Sequence, residues 1–236
     1  MEKREIKEKI VSYYGTKREY FEKLDSVFTD RGDEAFRRGS FDLLSLASSA
    51  ESILDVGCGS GALLSFLRGK FPSKAYYGAD VSPLAIAKAK EKNVPGTVPI
   101  TFDVQDAEQF IPFGSGKFDL VIAHEMVEHL VHPELAIANM SSALRSGGRL
   151  FVIAPNRLIR SPLSVQVRKL PDLIRMLLRP KYVNPTIVDP PLDTIGGDSD
   201  AVYLANPWEL RRMVRNAGLR VEQKSFFKCR LVAVKP

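Results

Sequence analysis

Cysteine is scarce in this chain, which carries only Cys58 and Cys229 in 236 residues. Two cysteines so far apart suggest neither a disulfide framework nor a thiolate metal centre. Long apolar runs are also missing. No stretch approaches the roughly 18 residues of a membrane span, and the N-terminal MEKREIKEKI is charged where a secretory leader is apolar. A cytoplasmic protein with no transmembrane segment is the expectation. There is no internal repeat and no low-complexity segment. A strong excess of one charge is absent too: the net +6 is spread along the chain, a weak basis for a nucleic-acid partner. The length suits one domain with embellishments and a sizeable core.

What the chain does contain is organised around Ile53–Leu64, ILDVGCGSGALL. A short apolar run ends in an acid, Asp55. The chain then turns through Gly57, Cys58, Gly59, Ser60 and Gly61 and resumes with helical spacing. Strand, glycine turn and helix let a nucleotide-like ligand approach bare backbone. The spacing is G-x-G-x-G, which differs from the G-x-G-x-x-G of dinucleotide folds. Asp55 adds a carboxylate suited to an ammonium group.

Residues 1–48 read as a helical N-terminal cap, with apolar positions such as Ile6, Ile10, Tyr13, Tyr14, Tyr20 and Phe21 at three- and four-residue steps. A break at Thr29–Asp33 separates two helices. Most of these side chains are expected to pack; the alternative is a lid, with Tyr13, Tyr14 or Arg37 over a ligand. Residues 49–236 form the second unit. Strands are expected at Ala75–Ala79, Val98–Val104, Phe118–Ala123 and Arg149–Ala154. Helices are expected at Pro83–Glu91, from HEMVEHL, and at Pro133–Leu144, the last stopped by Ser146-Gly147-Gly148. From 157 to 200 the alternation is interrupted by a proline-punctuated basic insertion, a surface hairpin or a substrate lid. A helix at Pro207–Ala217 and two close strands, Leu219–Phe227 and Cys229–Val234, finish the chain. The pattern predicts an α/β fold: a doubly wound, mostly parallel, Rossmann-like seven-stranded sheet. A C-terminal antiparallel hairpin, a helical preface and an insertion after the fifth strand complete it.

Ligands of such sheets lie beyond the carboxyl ends of the strands. Those ends carry Asp55, Asp80, Asp106, His124-Glu125 and Asn156. An acid closing the second strand, as Asp80 does, suits a ribose diol. Asp106 with Ala107 suits an adenine amino group. Each acid alone would also serve as a helix cap.

The motifs DVGCGSG, YYGADVS, DVQDAEQF, FDLVIAHEMVEHL and LRSGGRLFVIAPN, with the closing hairpin, resemble the class I S-adenosylmethionine-dependent methyltransferases. The resemblance covers Ile53–Asn156 and Pro207–Val234. It implies that Asp55, Gly57, Cys58, Gly59 and Gly61 line the methionine part of S-adenosylmethionine and that Asp80 holds the ribose. It places Val81 against the adenine, Asp106 and Ala107 at its edge, and the backbone of His124 beside the sulfonium.

In Glu125-Met126-Val127-Glu128-His129, helical spacing would put Glu125, Glu128 and His129 on one face. That face is either solvated or a general-base or divalent-metal cluster. E-x-x-E-H resembles the magnesium-binding segment of ubiquinone-pathway O-methyltransferases and of small-RNA 2′-O-methyltransferases. Those families add a downstream histidine; GGDSDAVYLANPWEL has none, leaving Asp198 or Asp200 as substitutes. The expected function is methyl transfer to a small molecule, with an oxygen nucleophile ahead of nitrogen or carbon. The alternatives are an RNA 2′-O-methyltransferase and a non-catalytic S-adenosylmethionine-binding protein. A nicotinamide-dependent oxidoreductase is disfavoured by the glycine spacing. Nothing in the sequence sets an oligomeric state.

Overall fold

A computed structural model describes residues 3–16, 41–92, 98–154, 207–225 and 229–236. The break at Thr29–Asp33, Arg37, Asn156, the 157–200 insertion, Asp198 and Asp200 lie outside them. Strands β1 (Ser52–Val56), β2 (Ala75–Asp80), β3 (Ile100–Val104), β4 (Phe118–His124), β5 (Leu144–Ala154), β6 (Arg220–Ser225) and β7 (Cys229–Val234) form one sheet in the order β3-β2-β1-β4-β5-β7-β6. The first five run parallel, while β7 is antiparallel to both β5 and β6. The doubly wound sheet and its closing hairpin are as expected. After β3 the chain crosses back to the other side of β1, so the strand order reverses between β1 and β4. A crevice opens at such a reversal.

Alternation along the central strands builds two cores. Leu54 and Val56, Val121 and Ala123, and Leu150 and Val152 face one layer; Ile53, Leu120 with Ile122, and Phe151 with Ile153 face the other. The first layer is covered by α5 (Pro133–Ala143) through Ile137 and Met140, and by α6 (Pro207–Asn216) through Leu210 and Val214. The second is covered by α2 (Phe41–Ser49), α3 (Ala62–Lys70) and α4 (Pro83–Lys92), using Leu43, Leu64, Leu67 and Ile86. Each fully buried Leu, Ile or Phe here contributes about 1.5–3 kcal/mol. Helix α1 (Lys3–Thr16) packs against α4.

Two local expectations are corrected. The strand expected at Arg149 begins at Leu144, and Ser146-Gly147-Gly148 lies within β5 instead of stopping the preceding helix beyond Leu144. The pairing jumps from Phe118↔Leu144 to Leu120↔Arg149, and Gly147 at φ 77° lets the chain bulge there. The second correction concerns HEMVEHL, where only the 3₁₀ turn Val127–His129 forms.

The end of the sheet away from the crevice is tied by Asp119. Its Oδ2 accepts the N–H groups of Glu51 at 3.0 Å and Ser52 at 2.8 Å and the Ser52 hydroxyl at 2.8 Å. Arg145 pairs with its other oxygen. Partial burial acts to raise the carboxyl pKa, but Ser52 and Arg145 outweigh it and hold the group below its ordinary value. That stabilisation is present above the ordinary carboxylate range and is lost as pH falls through the lowered value. Asp119→Ala is expected to destabilise the fold by about 1–3 kcal/mol and to flatten this acid limb, both read from urea unfolding at pH 7 and at acid pH.

Candidate functional site

The crevice is shaped first by the turn after β1. The N–H groups of Gly57 and Cys58 both donate to the Ala79 carbonyl, at 2.8 and 3.1 Å, which fastens the turn to the end of β2. Gly57, Gly59 and Gly61 have φ of 76°, 53° and 76°, a region costing other residues about 1–2 kcal/mol each. A Cβ on Gly57 would lie 2.4 Å from Met126 Cγ, and one on Gly61 2.6 Å from the Phe102 ring. Approach of a ligand is therefore only part of why these are glycines. Backbone handedness and the protein's own packing demand them as well.

Asp80 braces this turn. Its Oδ2 accepts the Gly59 N–H and its Oδ1 the Ser82 N–H, each at 2.9 Å. Burial raises its pKa; the Ser82 and Gly59 N–H groups and the nearby His129 oppose that rise. Each carboxylate oxygen has a further lone pair to offer a hydroxyl. Asp55 stands on β1 between Gly78 of β2 and Ile122 of β4. It is 2% exposed, and its Oδ1 has no hydrogen-bond partner. Burial, then the charge of Asp80, pushes its pKa well above the ordinary value. A buried acceptor in this state is matched by a cation carrying N–H donors. Cys58 is buried beside both acids, and burial followed by their charges pushes its thiol well up. It is an inert lining residue.

Asp106, just past the end of β3, is engaged twice. Its Oδ1 accepts the Glu108 N–H at 2.9 Å, and its Oδ2 lies 2.6 Å from Lys7 Nζ. Lys7 is also 2.6 Å from Glu108 Oε2, while Glu108 Oε1 accepts the His132 N–H at 2.8 Å. Burial acts against the charge of Lys7, but the two carboxylates outweigh it and raise its pKa. Ala107 is buried, and its carbonyl accepts Asn139 Nδ2 at 2.8 Å. Val81 is half-buried between Asp80 and Ser82. His124 ends β4 opposite Ile153. Asp55, Asp80 and Asp106 thus close three adjacent strand ends.

The expected face of Glu125, Glu128 and His129 is not built. Glu125 takes a left-handed φ of 50°, donates its N–H to Ile153 at 2.8 Å and points into solvent. This reversal turns Val127 and Glu128 inward, at 0% and 4% exposed. Among the described residues no three His, Cys, Asp or Glu side chains are grouped to hold a metal ion, so nothing in them supports the expected metal set of Glu125, Glu128 and His129. Glu128 Oε1 lies 3.8 Å from His129 Nε2, and Tyr14 Oη lies 3.0 Å from His129 Nδ1. On α1, Tyr13 is buried, and Tyr14 lies against His129. Lys7, Ser82 and Glu108 escaped sequence reading because their partners lie on other elements and no spacing marks them.

A left-handed glycine turn, a buried acid on β1 and a second acid at the end of β2 thus meet at this crevice. S-adenosylmethionine fits this donor set. A family model described as "Methyltransferase domain" matches residues 54–152. Ubiquinone biosynthesis O-methyltransferase of Rhizobium etli (strain CIAT 652) is 30% identical over 171 residues, 68% of this chain and 67% of that one. The enzyme of the same name from Thiobacillus denitrificans is 27% identical over 175 residues, 74% of this chain and 67% of its own. The chain therefore spans about two thirds of the length of these relatives. Human N-acetylserotonin methyltransferase, solved with S-adenosylmethionine, shares the fold at TM-score 0.58 and 16% identity, covering 92% of this chain and 55% of that one. The chain belongs to the class I S-adenosylmethionine-dependent methyltransferases and is an enzyme of that class.

Proposed function

We propose that this methyltransferase acts on an oxygen nucleophile of a small molecule, with His129 as the final proton acceptor. The observation that carries the reading is the placement of His129. It sits at the crevice, close enough to Asp80 to favour that group's charged form, with the buried Glu128 beside its ring. Imidazole is the side chain most often used as a general base. The O-methyltransferase names of the curated relatives agree with an oxygen acceptor.

Bound in the crevice, S-adenosylmethionine supplies an electrophilic methyl group. Asp55 takes its ammonium, the 57–61 turn with Cys58 admits the methionine part, and Asp80 takes the ribose hydroxyls. Val81 would face the adenine, and Ala107 and Asp106, the latter shared with Lys7, would hold its edge. The backbone of His124 would border the sulfonium. Glu128 balances the charge that His129 acquires, and Glu125 stays in solvent. Residues 1–48, of which α1 and most of α2 are described, are read as a cap on the 49–236 methyltransferase domain; the lid expected at 157–200 lies outside the described residues. Neither cysteine is in a disulfide and both are buried; a cytoplasmic location is part of this reading. No described helix is long and apolar enough to cross a membrane.

The test is transfer of labelled methyl from S-adenosylmethionine into a fractionated cell extract. Label is expected in the small-molecule fraction. Label confined to RNA would replace the acceptor class, and cofactor binding without any transfer would leave a non-catalytic binding protein.

A further inference from the structure

We infer that Tyr14, on the N-terminal helix, is a catalytic residue that relays the acceptor's proton to His129. The inference rests on the reading of His129 as the final base.

Two anchors fix α1 across the crevice. At its C-terminal end the Ser82 hydroxyl donates to the Tyr14 carbonyl at 2.7 Å. Two turns earlier, Lys7 bridges Asp106 and Glu108, at 2.6 Å each. Between these anchors and the core, the Tyr14 ring meets His129 edge-on, with centroids 5.6 Å apart and planes at 76°. The Tyr13 ring also meets that of Tyr14 edge-on, with centroids 5.2 Å apart. The phenol is held by its backbone, its ring and its hydroxyl.

The chemistry follows from which nitrogen carries the proton. Neutral imidazole has one N–H donor and one bare acceptor nitrogen. An ionised Glu128 carboxylate, 3.8 Å from Nε2 and so beyond hydrogen-bond distance, would favour the tautomer with the proton there through its charge alone. Nδ1 would then be the accepting nitrogen, and the Tyr14 hydroxyl 3.0 Å from it would donate. An acceptor hydroxyl cannot reach Nδ1 while Tyr14 stands there. In the relay the acceptor O–H breaks to Tyr14 Oη while the Tyr14 O–H proton moves to Nδ1. Tyr14 ends neutral, as it began. The electron pair stays on the acceptor oxygen, and the new imidazolium lies between Glu128 and Asp80.

Histidine-labelled protein tests this by long-range proton–nitrogen NMR, with the His129 signal identified by its loss in His129→Gln. The Nε2–H tautomer is expected in the ligand-free wild type, shifting towards a mixture in Tyr14→Phe, which keeps the ring packing. An Nδ1–H tautomer in the wild type would overturn the relay. Initial rates of label transfer into the small-molecule extract fraction should fall about 10²-fold or more in both Tyr14→Phe and His129→Gln, with calorimetric S-adenosylmethionine affinity within about twofold of wild type. Loss in His129→Gln alone would overturn the role of Tyr14 and leave the base in place. Loss in neither would overturn the base itself.

Discussion

Asp55→Asn is expected to weaken S-adenosylmethionine binding about 10- to 100-fold while making the ligand-free protein more stable. The two effects have one cause. Asp55 Oδ1 is buried without a hydrogen-bond partner, and burial together with Asp80 pushes its pKa well up. A charge-assisted hydrogen bond to an ammonium contributes about 1.5–3 kcal/mol, which sets the expected loss of affinity. With the ligand absent, the same charge opposes folding, and its removal should raise the thermal midpoint by several degrees, at about 2–4 °C per kcal/mol for a chain of this size. The pH dependence has a definite sign. A carboxyl whose folded pKa is raised binds its proton more tightly in the folded state. Its contribution is complete below the ordinary carboxylate value and is lost as pH rises through the raised one. Ligand-free wild type should therefore lose stability across that window more steeply than Asp55→Asn, whereas Asp119 acts in the opposite direction. Calorimetric titration and scanning at several pH values check both. An Asn variant that bound the cofactor normally would refute the assignment of Asp55 to the ammonium.

His129→Gln is expected to lower kcat about 10²- to 10⁴-fold, the usual range for removing a positioned general base, and to leave cofactor affinity nearly intact. Glutamine keeps hydrogen-bonding capacity towards Tyr14 and Glu128 but takes up no proton near neutral pH. The ring is largely covered, with 17% of the side chain exposed, and its neighbours are Tyr14, Glu128 and Asp80. Turnover of the wild type is also to be compared with and without chelator: among the described residues no three ligands are grouped for a metal, and activity lost in chelator and restored by magnesium would bring in a ligand from outside them. Steady-state rates with the labelled small-molecule fraction, with and without chelator, measure both.

Much of the sheet was legible because its periodicity is local. Ile53–Val56 and Phe118–Ala123 announce buried strands by their apolar runs, and Gly57-Cys58-Gly59 announces a turn by residue type. Ser146-Gly147-Gly148 misled because glycines that can stop a helix also allow a bulge, and only pairing with β4 chose between them. The Glu125–His129 stretch misled for a related reason. Its spacing suits a helix, yet Glu125 is held at positive φ where its N–H bonds the end of β5. No helical periodicity contains that constraint.

By itself the amino-acid sequence determined the doubly wound sheet, the glycine turn and the placement of Asp55, Asp80 and Asp106 at strand ends. Each of these depends on residue type and short-range spacing, which the linear order preserves. Only the tertiary structure decided that Lys7 joins Asp106 to Glu108, that Gly57 and Gly61 are required by Met126 and Phe102, and that Tyr14 meets His129 across 115 residues of chain. Those contacts depend on where α1 and the β4 loop settle on the finished core. That is a property of packing, and no local pattern carries it.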